Sequence, residues 1–291
     1  MVTLSNSDLK VNVAAHGAEL QNIICDGKEY LWQGDAKYWG RRSPVLFPIV
    51  GRLYDGVSKH KGGVIRMGQH GFARDMEFEV VEQREDYVSY RLDSCDKTRE
   101  VFPMEFRLVI SYKLEGKGIV VGWKVENIGS EELAFQIGAH PAFNYPDYDP
   151  NGSDRGYFSF DSEKPLEYII PVGKGCTGPE KYILDRDEQG MMPIGAGSFK
   201  VGTYVFEDSQ LKKITLCDRE RKPYVSVEFD TPIVALWSPS EEHPDVPFVC
   251  IEPWYGRCDM YGYEGEFTER EHIWKLASGE VFEASYKIVV E

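Results

Sequence analysis

Phe106-Arg107-Leu108-Val109-Ile110-Ser111-Tyr112-Lys113-Leu114, then Glu115-Gly116-Lys117-Gly118, then Ile119-Val120-Val121-Gly122-Trp123-Lys124-Val125 is the stretch whose reading decides the fold. Side chains alternate with the period of a strand on both sides of a glycine-containing turn. From Ile119 to Val125 every odd-numbered position is large and apolar, which is the signature of a strand with one buried face. Two such runs joined by a short glycine turn form an antiparallel hairpin.

The same pattern extends outward. Upstream, Phe78-Glu79-Val80 and Tyr87-Val88-Ser89-Tyr90-Arg91-Leu92 continue a meander, and Leu9-Lys10-Val11-Asn12-Val13 with Asn22-Ile23-Ile24 reads as an opening hairpin across the turn at His16-Gly17-Ala18. Downstream, strands are expected at Tyr204-Val205-Phe206, Leu211 to Leu216, Tyr224 to Phe229, Ile233 to Trp237, Phe248 to Glu252 and Ser285 to Val290. Helical periodicity is almost absent. The chain therefore reads as all-β, built from two large antiparallel sheets or one deeply curved sandwich, with residues 1–291 forming a single domain. Between Tyr145 and Lys200 prolines and glycines interrupt nearly every apolar run, so this region is expected to form a long loop on one rim of a binding site.

Composition narrows the function. The 291 residues carry a formal net charge of −15, which repels phosphate backbones and anionic lipid heads and argues against nucleic-acid or membrane partners. Met1-Val2-Thr3-Leu4-Ser5-Asn6-Ser7-Asp8 has neither a basic n-region nor an apolar h-region, and no apolar run approaches a membrane span, so a cytoplasmic location is expected. The six cysteines include no C-x-x-C pair, against a zinc ribbon or a thioredoxin-type site, and are read as reduced thiols.

Four segments carry candidate chemistry. Leu133-Ala134-Phe135-Gln136-Ile137 alternates and runs into Gly138-Ala139-His140-Pro141, so His140 should be presented at a strand end on the side of Gln136, with Pro141 ending the pairing. In Ser43-Pro44-Val45-Leu46-Phe47-Pro48-Ile49-Val50-Gly51-Arg52-Leu53 the prolines forbid a central strand. The segment should cross the mouth of a sheet and deliver Arg52, whose guanidinium can donate a fork of hydrogen bonds, although a surface salt bridge fits that segment equally well. Gly68-Gln69-His70-Gly71 sets His70 between small neighbours that let backbone or ligand come close. In Phe248-Val249-Cys250-Ile251-Glu252-Pro253-Trp254, strand parity puts Glu252 among apolar and aromatic side chains, where a carboxylate is costly unless partnered. The other histidines read blandly: His16 as a turn residue without an acid in the neighbouring segments, His60 and His243 (in Glu241-Glu242-His243-Pro244-Asp245) as exposed, and His272 as a surface or ion-pair group.

Pro48-Ile49-Val50-Gly51-Arg52, Gln69-His70-Gly71-Phe72, His140-Pro141-Ala142-Phe143-Asn144 and Phe248-Val249-Cys250-Ile251-Glu252-Pro253-Trp254, in this order, resemble the aldose 1-epimerase (galactose mutarotase-like) family, and its LacX-like branch in particular. The resemblance implies a galactose mutarotase-like β-supersandwich of large antiparallel sheets with an open sugar cleft. It implies Glu252 as general base, His140 as general acid, and Arg52 with His70 holding ring and hydroxyl oxygens. Trp237, in Ala235-Leu236-Trp237-Ser238-Pro239, is similar to the branch's pattern and can stack on a sugar face or simply fill core. Two departures stand out. Gly51 occupies the place of an asparagine, and the stretch matching the strand that follows the family's sugar-binding aspartate, Lys200 to Phe206, contains no aspartate; Asp208 lies downstream.

The chemistry fits the residue types. Exchanging anomers requires one proton to leave the C1 hydroxyl and another to reach the ring oxygen, which a carboxylate and an imidazolium achieve without metal or redox cofactor. An anionic Glu252 should favour a charged His140. The expected partner is a small-molecule sugar, free or 6-phosphorylated, with Arg41, Arg42 and Arg74 able to serve a phosphate. A non-catalytic sugar-binding protein is the alternative. A cupin-like metal site on His70, His140 and Glu252, lacking an H-x-H pair, and a glycosidase pairing Glu252 with Asp259 rank lower. Oligomeric state is not legible.

Overall fold

The computed structural model describes residues 1–239 and 242–291; Glu241, assigned above to an acidic loop, lies outside them. The meander forms as the alternation predicts. Glu79–Gln83, Tyr87–Asp93, Arg107–Glu115 and Gly118–Glu126 are consecutive antiparallel neighbours. Leu108, Ile110, Tyr112 and Leu114 face one side and meet Val125, Trp123, Val121 and Ile119 in register, all buried. Apolar pairs directly across a ladder hold both register and face.

This hairpin sits inside a nine-stranded sheet. The C-terminal strand Val281–Val290 pairs with Gly118–Glu126, and Pro223–Phe229, Lys213–Cys217, Asp154–Phe160 and Met192–Gly195 follow in order beyond it. At the opposite edge Glu79–Gln83 is exposed along its whole length and carries Glu79 and Glu82, charges that discourage edge-to-edge pairing.

A second, six-stranded sheet positions the site. Its order is Tyr204–Phe206, Ile233–Trp237, Phe248–Tyr255, Ile137–Ala139 and Val45–Leu46, with Ala142–Asn144 also paired to Phe248–Tyr255. Its two faces do different things. Val249, Ile251, Val234, Leu236, Tyr204 and Phe206 point into the main core shared with the nine-stranded sheet. The alternate residues Val205, Ile233, Ala235 and Trp254 form one separate cluster, and Phe248 and Cys250 another. The fold is thus the expected all-β supersandwich, and strand parity alone sends Glu252 to the face away from the main core. No helix among the described residues is long and apolar enough to cross a membrane.

Several expectations are corrected. Residues 145–200 are not one long loop: Asp154–Phe160 joins the large sheet, and its register shift between Asp154 and Tyr157 hides the period-two pattern. His60 is buried rather than exposed, because the segment at Gly265-Glu266 lies across its hairpin, Lys59 N–H donating to Gly265 O. His16 does find an acid, Glu77, 2.8 Å away at the surface and far along the chain. Gln136, on whose side His140 is expected and for whose own burial the pattern gives no expectation, is fully buried, its Oε1 accepting from Val50 N–H at 3.1 Å and its Nε2 donating to Glu271 O. His243 is only partly exposed and sets its ring edge-on to Tyr38.

Candidate active site

Glu252 lies mid-strand opposite Ala235, with Gly138 opposite the neighbouring Trp254. A Cβ on Gly138 would sit 2.6 Å from Trp254 Cδ1, so glycine is what lets the indole lie flat against that strand. Two residues after Gly138, His140 leaves the ladder and turns into the same space. His140 Nε2 comes within 3.2 Å of Glu252 Oε2, and both side chains are buried.

Three rings box His140: Trp39 stacks on it with centroids 4.7 Å apart, Trp237 meets it edge-on at 5.4 Å, and His70 stands perpendicular at 5.5 Å. His70 has a positive φ, which the tight turn into Gly71 imposes. Its Nδ1 accepts from Gly51 N–H at 3.0 Å, which leaves the proton of the neutral ring on Nε2; Gln69 Nε2, 3.2 Å away, is itself a donor and cannot receive it, so that N–H stays available to a ligand. Gln69 Oε1 in turn accepts from Arg52 Nη2 at 3.0 Å.

Gly51 explains one departure from the family pattern. Its φ is +71°, and a Cβ there would lie 2.5 Å from Cys258 Cβ and 2.8 Å from Cys258 N, so the backbone leaves no room for asparagine. At the other departure, the stretch Lys200 to Phe206, which holds no aspartate, contributes Thr203 and Val205 to the cavity. Asp208 is exposed and pairs with Lys181.

His140, Glu252, Arg52, His70 and Trp237 line one cavity of about 720 Å³, within the size range of small-ligand sites. Trp39, Gln69, Lys174, Thr203 and Trp254 line it too and were not singled out from the sequence. Of the three arginines considered for a phosphate, Arg41 and Arg74 line the cavity. Arg42 is turned elsewhere, its backbone N–H donating to Glu19 Oε1 and its guanidinium to Gln21.

The electrostatics of the pair correct another expectation. Burial, with smaller contributions from Arg74 and Arg41, pushes His140 down to about 3. Burial pushes Glu252 well above the usual carboxylate range; the Trp254 indole opposes that rise, yet neither Glu252 oxygen has a hydrogen-bond partner and burial wins. Both directions favour a neutral His140 beside a protonated Glu252 over a cation beside an anion in the unliganded cavity. Both Glu252 oxygens, His140 Nδ1 and Trp254 Nε1 are buried without partners, an arrangement that calls for a polar ligand.

Two lower-ranked chemistries can be weighed on this geometry. His140, Cys250 and Glu252 offer donor atoms all within 4.8 Å of one another and could close on a metal ion, with Cys250 rather than His70 as the third member. Without a metal, the Cys250 thiol is itself pushed well up by burial and by Glu252. Asp259 is buried in an ion pair with Arg270 and accepts from Tyr54 N–H at 2.8 Å, so it is committed to structure.

The family description matching the chain is aldose 1-epimerase, over residues 1–288. The chromosomal protein LacX of Lactococcus lactis subsp. lactis is 28% identical, with 99% of each chain covered. Among solved structures, a galactose mutarotase-like protein from Lactobacillus casei superposes with a TM-score of 0.93 at 28% identity, covering 100% of both chains. A galactose mutarotase related enzyme from Lactobacillus acidophilus superposes with a TM-score of 0.91 at 29% identity, covering 100% of this chain and 97% of the other.

Proposed function

The chain belongs to the aldose 1-epimerase family, and on that premise we propose that it interconverts the α and β anomers of a sugar by ring opening, with Glu252 as general base and His140 as general acid. The observation that carries this reading is the 3.2 Å approach of His140 Nε2 to Glu252 Oε2 at the wall of a sugar-sized cavity.

Glu252 takes the proton of the C1 hydroxyl as C1=O forms. The C1–O5 bond breaks, and O5 receives a proton from His140. Rotation about the C1–C2 bond presents the other face of the aldehyde, and closure runs both transfers backwards. The proton count links this to the unliganded site. A neutral His140 beside a protonated Glu252 holds the same number of protons as an imidazolium beside a carboxylate, and it is the distribution reached once the ring has opened. Hydroxyls of a bound sugar supply the hydrogen bonds that the buried pair lacks, so one proton moving from Glu252 to His140 makes the working form without exchange with solvent. Arg52, His70 with its Nε2–H, and Trp237 serve as donors and a stacking face for the ring.

The test is anomer exchange followed by polarimetry or NMR over a panel of hexoses. Glu252→Gln and His140→Asn, each checked for an intact fold, should slow turnover by about 10²- to 10⁴-fold, the usual share of a positioned acid or base. Exchange as fast in Glu252→Gln as in wild type would end the proposal. Sugar binding by calorimetry without faster exchange would select the non-catalytic sugar-binding reading, which the lack of an aspartate from Lys200 to Phe206 favours.

A further inference from the structure

The formal charge of the chain is −15, yet the cavity is lined by Arg41, Arg52, Arg74 and Lys174, with Glu252 its one acidic residue among the described residues. Two of these cations are answered from outside: Arg41 Nη2 lies 2.9 Å from Asp75, and Lys174 pairs with Asp55. The other two are answered weakly or not at all. Among the described residues Arg52 has no carboxylate within ion-pair distance and donates to the neutral Gln69. Arg74 is mostly buried; its Nη2 donates to Gln69 O at 2.6 Å, its Nε has no hydrogen-bond partner, and Asp75 approaches that Nε no closer than 3.9 Å.

Such a wall suits one kind of ligand. Guanidinium and ammonium groups only donate hydrogen bonds, whereas a free aldose presents hydroxyls that must also donate. The family's sugar-binding aspartate, which would receive them, has no counterpart in Lys200 to Phe206. Phosphate oxygens only accept, and a guanidinium fork meets two of them at once. Arg52, with no carboxylate beside it among the described residues, and Arg74, met by Asp75 only at 3.9 Å, together match a dianion. We infer that the substrate is a phosphorylated sugar whose phosphate monoester is held by Arg74 and Arg52, with Arg41 adding to the field. The phosphate sits away from C1, because ring opening needs a free C1 hydroxyl. This inference rests on the epimerase reading for the orientation of the sugar, but phosphate recognition can be measured without turnover.

The experiment compares kcat/KM for anomer exchange of glucose, galactose, their 6-phosphates and glucuronate, with wild type and Arg74→Gln. The 6-phosphates are expected to exceed the parent sugars by about 100-fold, and Arg74→Gln to shrink that ratio by about 10- to 100-fold, as loss of charge-assisted hydrogen bonds does. Arg74→Lys, which keeps charge and loses the fork, and Arg52→Gln serve if Arg74→Gln does not fold. In parallel, glucose and glucose 6-phosphate are titrated calorimetrically into Glu252→Gln protein, with at least 10-fold tighter binding expected for the phosphate. Equal turnover of phosphorylated and free sugars, with equal binding, overturns the phosphate inference and leaves the epimerase standing. Glucuronate turned over as fast as the 6-phosphates also overturns it. Arg74-dependent binding of glucose 6-phosphate without acceleration of any exchange sinks the epimerase and upholds the phosphate site.

Discussion

Replacing Glu252 by glutamine should change how stability depends on pH, and the sign follows from the buried pair. In the unfolded chain a glutamate titrates near 4.5 and a histidine near 6.5. In the native protein Glu252 is raised well above its unfolded value, so above pH 4.5 the folded state keeps a proton that the unfolded state releases. Its contribution is fully present below 4.5 and is lost as pH rises towards its folded pKa, at about 1.4 kcal/mol per pH unit. His140 is lowered to about 3, so its contribution is present above 6.5 and is lost as pH falls. Above pH 4.5 and below 6.5, while native Glu252 keeps its proton, the two slopes oppose each other and cancel, because the native neutral pair and the unfolded charged pair hold equal numbers of protons. His70, also pushed well down by burial, acts alike in wild type and variant and drops out of the comparison.

Glu252→Gln removes one side of the balance. Its stability should match wild type near pH 4.5 apart from a constant offset, then gain on wild type by about 1.4 kcal/mol per pH unit for as long as native Glu252 keeps its proton and the pH stays below 6.5. Denaturant unfolding at half-unit steps across this window reads the difference directly, and unchanged m-values license the comparison. Parallel curves for the two proteins would mean that Glu252 is ionised in the native state, and the neutral-pair description would have to be abandoned.

Two further outcomes follow from the geometry. Gly51→Asn, which restores the family's residue, should destabilise the fold by about 1–3 kcal/mol through left-handed backbone strain and collision with Cys258, and should slow anomer exchange by displacing the N–H that holds His70; a melting temperature equal to wild type would contradict it. Since a base and an acid suffice for the transfers, dialysis against a strong chelator should leave the exchange rate unchanged, whereas a loss of rate reversed by Zn²⁺ would turn attention to His140, Cys250 and Glu252 as ligands.

What could be read from the sequence and what could not divide along one physical line. Half-buried antiparallel strands write a period of two, so the hairpin from Arg107 to Glu126 and the face of Glu252 were legible: Val249 and Ile251 enter the core while Phe248, Cys250 and Trp254 stay on the other side. The same rule says little where pairing is interrupted, as at Gln136 between Leu133–Phe135 and Ile137–Ala139, and where a bulge breaks the count, as at Asp154–Phe160. Trp39, Gln69, Lys174 and Thr203 reach the cavity from segments with no such period, and only the path of the chain brings them there. Arg41 and Arg42 are adjacent and chemically identical, so no local pattern could tell that one lines the cavity while the other binds Glu19 and Gln21. His60 was misread for the same reason, since the chain that covers it is some two hundred residues away in sequence.

The arginine wall and the neutral pair bear on each other. Arg74 and Arg41 are among the groups that hold His140 down, and Arg74, Arg52 and Arg41 act likewise on His70. A dianion seated on those guanidiniums would cancel much of their field at the imidazole, so its arrival favours movement of the Glu252 proton to His140. The group that identifies the ligand would then also prepare the acid and the base for it. Inorganic phosphate isolates this effect because it carries no sugar. If the coupling is real, adding phosphate to the wild-type protein should shift the ring-proton NMR signals of His140 towards the imidazolium position, and adding it to Arg74→Gln should not. A His140 signal indifferent to phosphate in wild type, at concentrations where calorimetry shows the ion bound, would separate recognition from proton placement and leave the two as independent properties of one cavity.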